Sequence, residues 1–554
     1  MGAGGEMRRG GKAVLLACLL KAATATSAHA QSTEPGYSWG GFYIGAHLGA
    51  ALELTDVADP FGASIYGDTV RAPGPLAGGQ AGYNWQFGQA LVGLEADVSW
   101  ADVQGTNTCF AFSGLYVSAN CRSDIDATGT LTGRFGWLVG PDNGTLIYGK
   151  AGAAWQHSDI TATTSGGNGA ATSAQGVRWG WTLGAGAERA ISQRWSLKAE
   201  YDYLSFGSDA LATPPSGFQS VRSGDPFALT PVASAATDAS QDAHVVKVGL
   251  NYRLGGEQPA TIDDWSVAPI APLSGTTLEI GARYAYGWGR FQKDLGIPGA
   301  GTSSLASRLT YGGNSTNGAE MFVRLDTASG LMAKGFVGKG NGEGKLNDED
   351  WGLPFAIFIP YSNTISKVDD HIRYGVLDIG YDLWRDKRFR VAPFVGYSIL
   401  HQYMQGFGCT QIANPNSDCG TPIPITVFAI SEDDVWQAMR LGTVVDTQIV
   451  PGLTLTADAA YLPYVRFRGT DDHILRSLLS PEQGNGTGAQ LEVMLSYALT
   501  EQLSIGVGGR YWAMWTSDGS VDFGGTGTIV PMRYSVEQAA LLVQGSYTFT
   551  NSSD

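Results

Sequence analysis

Charge is scarce in this chain, and long apolar runs are scarcer. Charged residues make up 16% of its 554 residues, where a soluble enzyme of this size carries about a quarter. Yet no apolar run beyond the N-terminal stretch reaches the ~20 residues that a membrane-spanning helix needs. The two shortages together argue against an ordinary soluble enzyme and against a helical membrane protein. Cysteine is also rare, with 5 in the chain. No histidine or second cysteine pair stands beside either local pair, so no zinc-type ligand set is expected. A net charge of −16 leaves nothing to hold a polyanion, and nucleic acid is not expected as a partner.

Glycine, at 77 residues, and aromatics, at 11%, are plentiful. Glycine-rich, aromatic-rich, weakly charged sequence without long apolar runs fits an outer-membrane β-barrel, whose strands alternate lipid-facing and interior residues. A secreted soluble β-protein is the alternative. Residues 1–30 read as a signal peptide: Arg8, Arg9 and Lys12 precede the apolar Ala13–Leu20, and Ala28-His29-Ala30 offers a small-residue cleavage site. The remaining cysteines form two local pairs, Cys109/Cys121 and Cys409/Cys419, in polar segments between strand patterns. In an oxidising compartment each pair would close as a loop disulfide.

Strand patterns in the first half fall near 38–50, 77–88, 90–101, 125–138, 145–156, 177–190, 195–204 and 243–254. The period of two is explicit in Leu197-Lys198-Ala199-Glu200-Tyr201-Asp202-Tyr203, apolar on one face and charged on the other. Short turns alternate with long outer loops at 52–75, 102–124, 157–176 and 205–241. Eight strands close around an interior just wide enough for side chains, so this barrel should be plugged by its own charges. Trp39-Gly40-Gly41-Phe42-Tyr43-Ile44-Gly45, Gly82-Tyr83-Asn84-Trp85, Val92–Asp97 and Val248–Leu254 resemble the opacity-type small outer-membrane barrels. That resemblance covers 38–255 and implies architecture rather than activity.

Residues 256–275 carry Glu257, Pro259, Asp263, Asp264, Pro269 and Pro272 and cannot form a central strand; they read as a linker. Ten further strand patterns follow within 276–549, an even number as bacterial barrels require. The fold class is therefore all-β: two transmembrane antiparallel up-and-down barrels in one chain, eight-stranded and then ten-stranded.

Just past the third and seventh strands of the second barrel stand Asp348-Glu349-Asp350 and Asp471-Asp472-His473. Strands four apart in a ring of ten face one another across the lumen. Each group alone reads as a solvated loop, or for Asn347–Asp350 as a casual calcium contact. Placed opposite each other they form a set able to activate water, with His473 as base, Asp471 orienting it, and Asp348 and Asp350 sharing a proton. The region 276–549 resembles the omptin family of outer-membrane proteases through Ser307–Tyr311, Asp348-Glu349-Asp350-Trp351, Leu377-Asp378-Ile379, Arg390–Tyr397 and Asp471-Asp472-His473. The resemblance implies a ten-stranded barrel that cleaves peptide bonds of peptides or proteins at the cell surface. Its catalytic residues would be Asp348, Asp350, Asp471 and His473, with no metal or cofactor. Two positions depart from the family, because Gly289 and Gly469 stand where acidic groups select basic residues. Asp369, Asp370, Glu432, Asp433 and Asp434 are the candidates to replace that charge. The family also leans on lipopolysaccharide, but the matching positions here are Ile399, His401 and Trp436. The alternative function is a non-enzymatic structural barrel or adhesin that keeps a relic cleft.

Overall fold

The computed structural model describes residues 37–552 apart from 61–68, 113–116, 140–142, 165–169, 216–232, 255–274, 299–300, 352–361, 386–388 and 414–416. The expected signal peptide and nearly all of the expected linker lie outside the described residues. The first eight strands are β1 (Gly41–Val57), β2 (Thr69–Phe87), β3 (Ala90–Phe112), β4 (Val117–Val139), β5 (Thr145–Thr164), β6 (Ala171–Ala190), β7 (Trp195–Ala212) and β8 (Ala236–Leu254). Each pairs antiparallel with the next, and β1 closes the ring against β8, with Tyr43 opposite both Gly82 and Arg253.

The second set comprises β9 (Gly275–Ile297), β10 (Gly301–Asp326), β11 (Leu331–Asp350), β12 (Ser362–Tyr381), the two-residue β13 (Trp384–Arg385), β14 (Phe389–Gln411), β15 (Ile423–Val450), β16 (Leu453–His473), β17 (Leu478–Ala498), β18 (Leu503–Asp522) and β19 (Ile529–Ser552). The β9–β19 ladder sets Lys293 opposite Tyr534, and the β12–β14 ladder sets Asp370 opposite Met404. Ten long strands therefore close a second ring, with β13 a short adjunct beside β14.

Alternation makes both rings. In the first lumen, Arg134, Lys150, Lys198 and Lys247 interleave with Glu95, Asp97, Glu188, Glu200 and Asp202, as in the Lys150–Glu200 contact of 2.8 Å. Charges buried this deeply persist only when paired, and here they fill the narrow interior. Outward positions such as Trp100, Trp179, Tyr284, Val337, Leu377 and Val395 are exposed and apolar, the band that faces lipid.

The strands run well past that band. Above Val337, the outward residues of β11 become Lys339, Asn341, Glu343 and Lys345, so the top of the second barrel stands in water. Among the described residues, the segments expected as loops are mostly strand; 102–112 and 117–124 are ladder residues, and so are 342–350 and 468–473, which carry the acidic groups read as loop. The reason is visible in Lys339-Gly-Asn341-Gly-Glu343-Gly-Lys345, where period two continues with glycine alternating with polar side chains in place of apolar ones. Both cysteine pairs are closed, with Cα–Cα distances of 5.8 Å for Cys109–Cys121 and 5.7 Å for Cys409–Cys419. The first of them joins two paired strands, not the ends of a loop.

Candidate active site

Asp348 and Asp350 occupy the last three residues of β11, and Asp471 and His473 the last three of β16. All four lie on strand ends, where sequence alone suggested loops. The lumenal face of β11 is fixed by Leu346, which belongs to the lumenal apolar cluster with Phe291, Tyr311 and Trp436. Asp348 and Asp350, two and four residues on, share that face. On β16, Val465 and Phe467 join the same cluster, and Asp471 and His473 continue their face. Round the ring, β11 and β16 are four strands apart by way of β12, β14 and β15. Asp348 lies 11 residues above Val337, about 35 Å along the strand, well clear of the lipid-facing band.

His473 Nδ1 lies 3.2 Å from Asp471 Oδ1. Burial disfavours the imidazolium, but the charges of Asp471 and Asp348 outweigh it and raise the pKa of His473 above the ordinary value. Burial would raise the Asp471 carboxyl too, yet His473 and the Lys293 ammonium hold it well below the usual carboxylate range. Asp348 is pushed up to about 7 by burial and by Asp350, against the opposing pull of His473. Burial also raises Asp350, in spite of a hydrogen bond with Ser307 and the attraction of Arg476 and His473. Two carboxyls that resist ionisation face one that is firmly ionised. Such a separation of proton affinities lets the Asp348–Asp350 side hold a proton while His473, backed by ionised Asp471, accepts one.

Two residues not recognised in the sequence, Lys293 and Glu482, complete the floor. Lys293, fully buried on β9, places Nζ 2.9 Å from Asp471 Oδ2 and 3.2 Å from Glu482 Oε1, and bonds Glu432 as well. Glu432, Asp471 and Glu482 lie close enough to share one cation, and the Lys293 ammonium is that cation. Asp434, also fully buried, completes this acidic well. Lys293 was detectable as a lone charge between the inward apolar residues Phe291 and Leu295, a pattern that demands a buried counter-charge.

Gly469 gains meaning from the same well. A Cβ there would meet Asp434 Oδ1 at 2.4 Å and Glu482 Oε2 at 3.2 Å, so neighbouring strands fill the space of a missing side chain with carboxylates. Of the five acids expected to supply replacement charge, Glu432 and Asp434 are in the well. Asp370 is buried in the lumen against Asn314 and Gln402. Asp369 and Asp433 point outward, to Lys367 and His401. Of the three positions matched to the lipid site, Ile399 is exposed and Trp436 is fully buried on the lumenal side.

Two closed up-and-down barrels with apolar outer bands and charged interiors define an outer-membrane β-barrel protein. A family model described as the outer membrane protein beta-barrel domain matches residues 16–253. The 31 kDa outer-membrane immunogenic protein of Brucella melitensis biotype 1 is 31% identical over 267 residues, covering 44% of this chain and 99% of that protein. The 22 kDa outer membrane protein of Rhizobium leguminosarum bv. viciae is 28% identical over 178 residues, covering 32% of this chain and 68% of that protein. Among solved structures, the outer membrane protease OmpT from Escherichia coli is similar over 51% of this chain and 100% of its own, at 13% identity and a TM-score of 0.44. The chain belongs to the outer-membrane protein β-barrel family, and its place is the bacterial outer membrane.

Proposed function

We propose that the second barrel is an omptin-type endopeptidase that hydrolyses peptide bonds at the cell surface. The observation that carries this reading is the convergence, above the lipid-facing band, of a His473–Asp471 pair 3.2 Å apart and an Asp348–Asp350 pair whose charges it feels. Neutral His473 takes a proton from a water held between the two pairs, and the resulting hydroxide adds to the peptide carbonyl carbon. The tetrahedral oxyanion accepts a hydrogen bond from whichever of Asp348 and Asp350 keeps its proton. Imidazolium at His473, stabilised by Asp471, then protonates the leaving nitrogen as the C–N bond breaks, giving a carboxylic acid and an amine, between which one proton passes to leave carboxylate and ammonium. No metal or cofactor enters this scheme, and outer-membrane lipid serves as the solvent of the barrel. Lipopolysaccharide is not assigned a site, since Trp436 cannot reach lipid.

Lys293 gives a second reading a specific basis. Its ammonium draws on the same Asp471 carboxylate that would support imidazolium, which suits a non-enzymatic structural barrel or adhesin. Refolded protein incubated with a mixed-sequence peptide library, with and without lipopolysaccharide, separates the two. The protease reading expects cleavage that His473→Ala and Asp348→Asn reduce by 10²-fold or more, roughly the share of general acid–base catalysis. No cleavage by the wild type in either condition would replace it with the non-enzymatic reading.

A further inference from the structure

The outward faces of β9 to β12 directly behind the candidate site are not exposed to water. Gln292, Asp294, Arg308, Glu349 and Asn363 point away from the lumen, yet all five are buried. The β3–β4 hairpin of the first barrel covers four of them, Gln292, Asp294, Arg308 and Glu349. Arg308 donates from Nε to Asp294 Oδ1 at 2.6 Å, from Nη1 to Thr108 Oγ1 at 2.9 Å and from Nη2 to Asn120 Oδ1 at 2.7 Å. Thr108 Oγ1 in turn donates to Glu349 Oε2 at 2.7 Å, and Thr106 Oγ1 to Asp294 Oδ2 at 2.8 Å.

Glu349 is the residue between Asp348 and Asp350, and Arg308 is its partner across the β10–β11 ladder. The hydroxyl of Thr108 therefore bridges the one outward carboxylate flanked by both inward ones. The hairpin itself is braced from its other face: Cys109 and Cys121 are joined and packed with Val57, Val70, Phe110 and Ile160 inside the first barrel. A second strut lies lower, where Arg71 of β2 meets Glu537 of β19 at 2.7 Å.

We propose that the first barrel positions the Asp348–Asp350 wall of the second through Thr108, acting on Glu349 and Arg308. Thr108 is thus a positioning residue, not a catalytic one, and the inference rests on the protease reading only for its consequence in turnover. A buried Arg and two buried carboxylates on an outer wall have no reason to be desolvated unless a partner surface completes their hydrogen bonds. A strand-end pair that must hold a water within a few tenths of an ångström gains from having its far side pinned.

The test uses the full-length protein with Thr108→Val, which keeps the shape and removes the hydroxyl, and Thr108→Ser, which restores it. Two readouts are taken on each: kcat and KM for a cleaved library peptide, and the NMR titration of His473, whose imidazole senses Asp348. The expected result for Thr108→Val is a fall in kcat of about tenfold with KM within about twofold, since sub-ångström misplacement costs rate more than binding. A displaced His473 titration midpoint should accompany it, and Thr108→Ser should recover both. A wild-type titration curve in Thr108→Val would overturn the proposal. If the wild type cleaves nothing, the protease reading falls, and the His473 titration still decides whether the first barrel holds this wall.

Discussion

Replacing Lys293 with methionine should be among the most damaging single changes outside the lipid-facing region. The side chain is fully buried and bonds three carboxylates, Glu432, Asp471 and Glu482, with Asp434 beside them. Methionine conserves much of the volume and removes the cation. Taking one partner from a buried ionic cluster costs roughly 3–5 kcal/mol, because the remaining charges lose their compensation. The loss should depend on pH in a definite sense. Asp471 is held below its ordinary range, so its contribution is present above the unfolded carboxylate value of about 3.9 and lost as pH falls through its depressed folded value. Glu432, Asp434 and Glu482 are raised by burial, and without Lys293 they would rise further and oppose folding at neutral pH. Both effects make the gap between Lys293→Met and wild type widest near neutrality and narrower below about pH 4. Urea unfolding of the barrel in lipid vesicles at neutral and acidic pH measures it, and adding Glu432→Gln to Lys293→Met should recover part of the loss. A gap under about 1 kcal/mol at neutral pH, or one that grows on acidification, would refute the reasoning.

Peptide cleavage should follow a bell-shaped pH profile: the acid limb reports loss of the proton from His473, above its usual 6.5, and the alkaline limb reports ionisation of Asp348, near 7. A profile that rises monotonically from pH 5 to 9 would contradict that division of roles. Gly469→Ala should destabilise the barrel by about 1–3 kcal/mol, since its Cβ would come within 2.4 Å of Asp434 Oδ1 and 2.8 Å of the Phe467 ring; unfolding midpoints of the two proteins decide it. Opening Cys409–Cys419, which closes a loop of sequence separation 10, should cost up to about 3 kcal/mol by loop entropy. The paired Cys409→Ser/Cys419→Ser protein, compared with wild type with and without reductant, supplies the measurement.

The barrels were legible because membrane strands write their period in the strongest letters available. Leu197–Tyr203 alternates apolar with charged residues, and the lipid outside and ion pairs inside leave it no other conformation. The same ladder beyond the membrane was not legible as strand. There Gly344-Lys345-Leu346-Asn347-Asp348 faces water or protein on its outer side, and the apolar half of the signal disappears. The sequence around Asp348-Glu349-Asp350 reads as a loop because of that loss, although the period of two persists through 339–350. The four candidate residues could be placed by strand count alone, since opposition across a ring depends on order and not on distance. The partners of Lys293, a charge visible between Phe291 and Leu295, and the role of Glu349 could not. Lys293 acts on carboxylates more than a hundred residues away, and the reason for Glu349 lies in Thr108 of another barrel.

Asp348 and His473 work as parts of one centre in the proposed reaction. Cleavage rates for Asp348→Asn, His473→Ala and the double variant, measured side by side on one library peptide, test that most directly. Groups that act as a unit are strongly non-additive, so the double variant should be within about threefold of the slower single one. Losses that multiply, or a single variant that keeps wild-type turnover, would mean that the two pairs do not share a reaction and that the proposed centre is wrong.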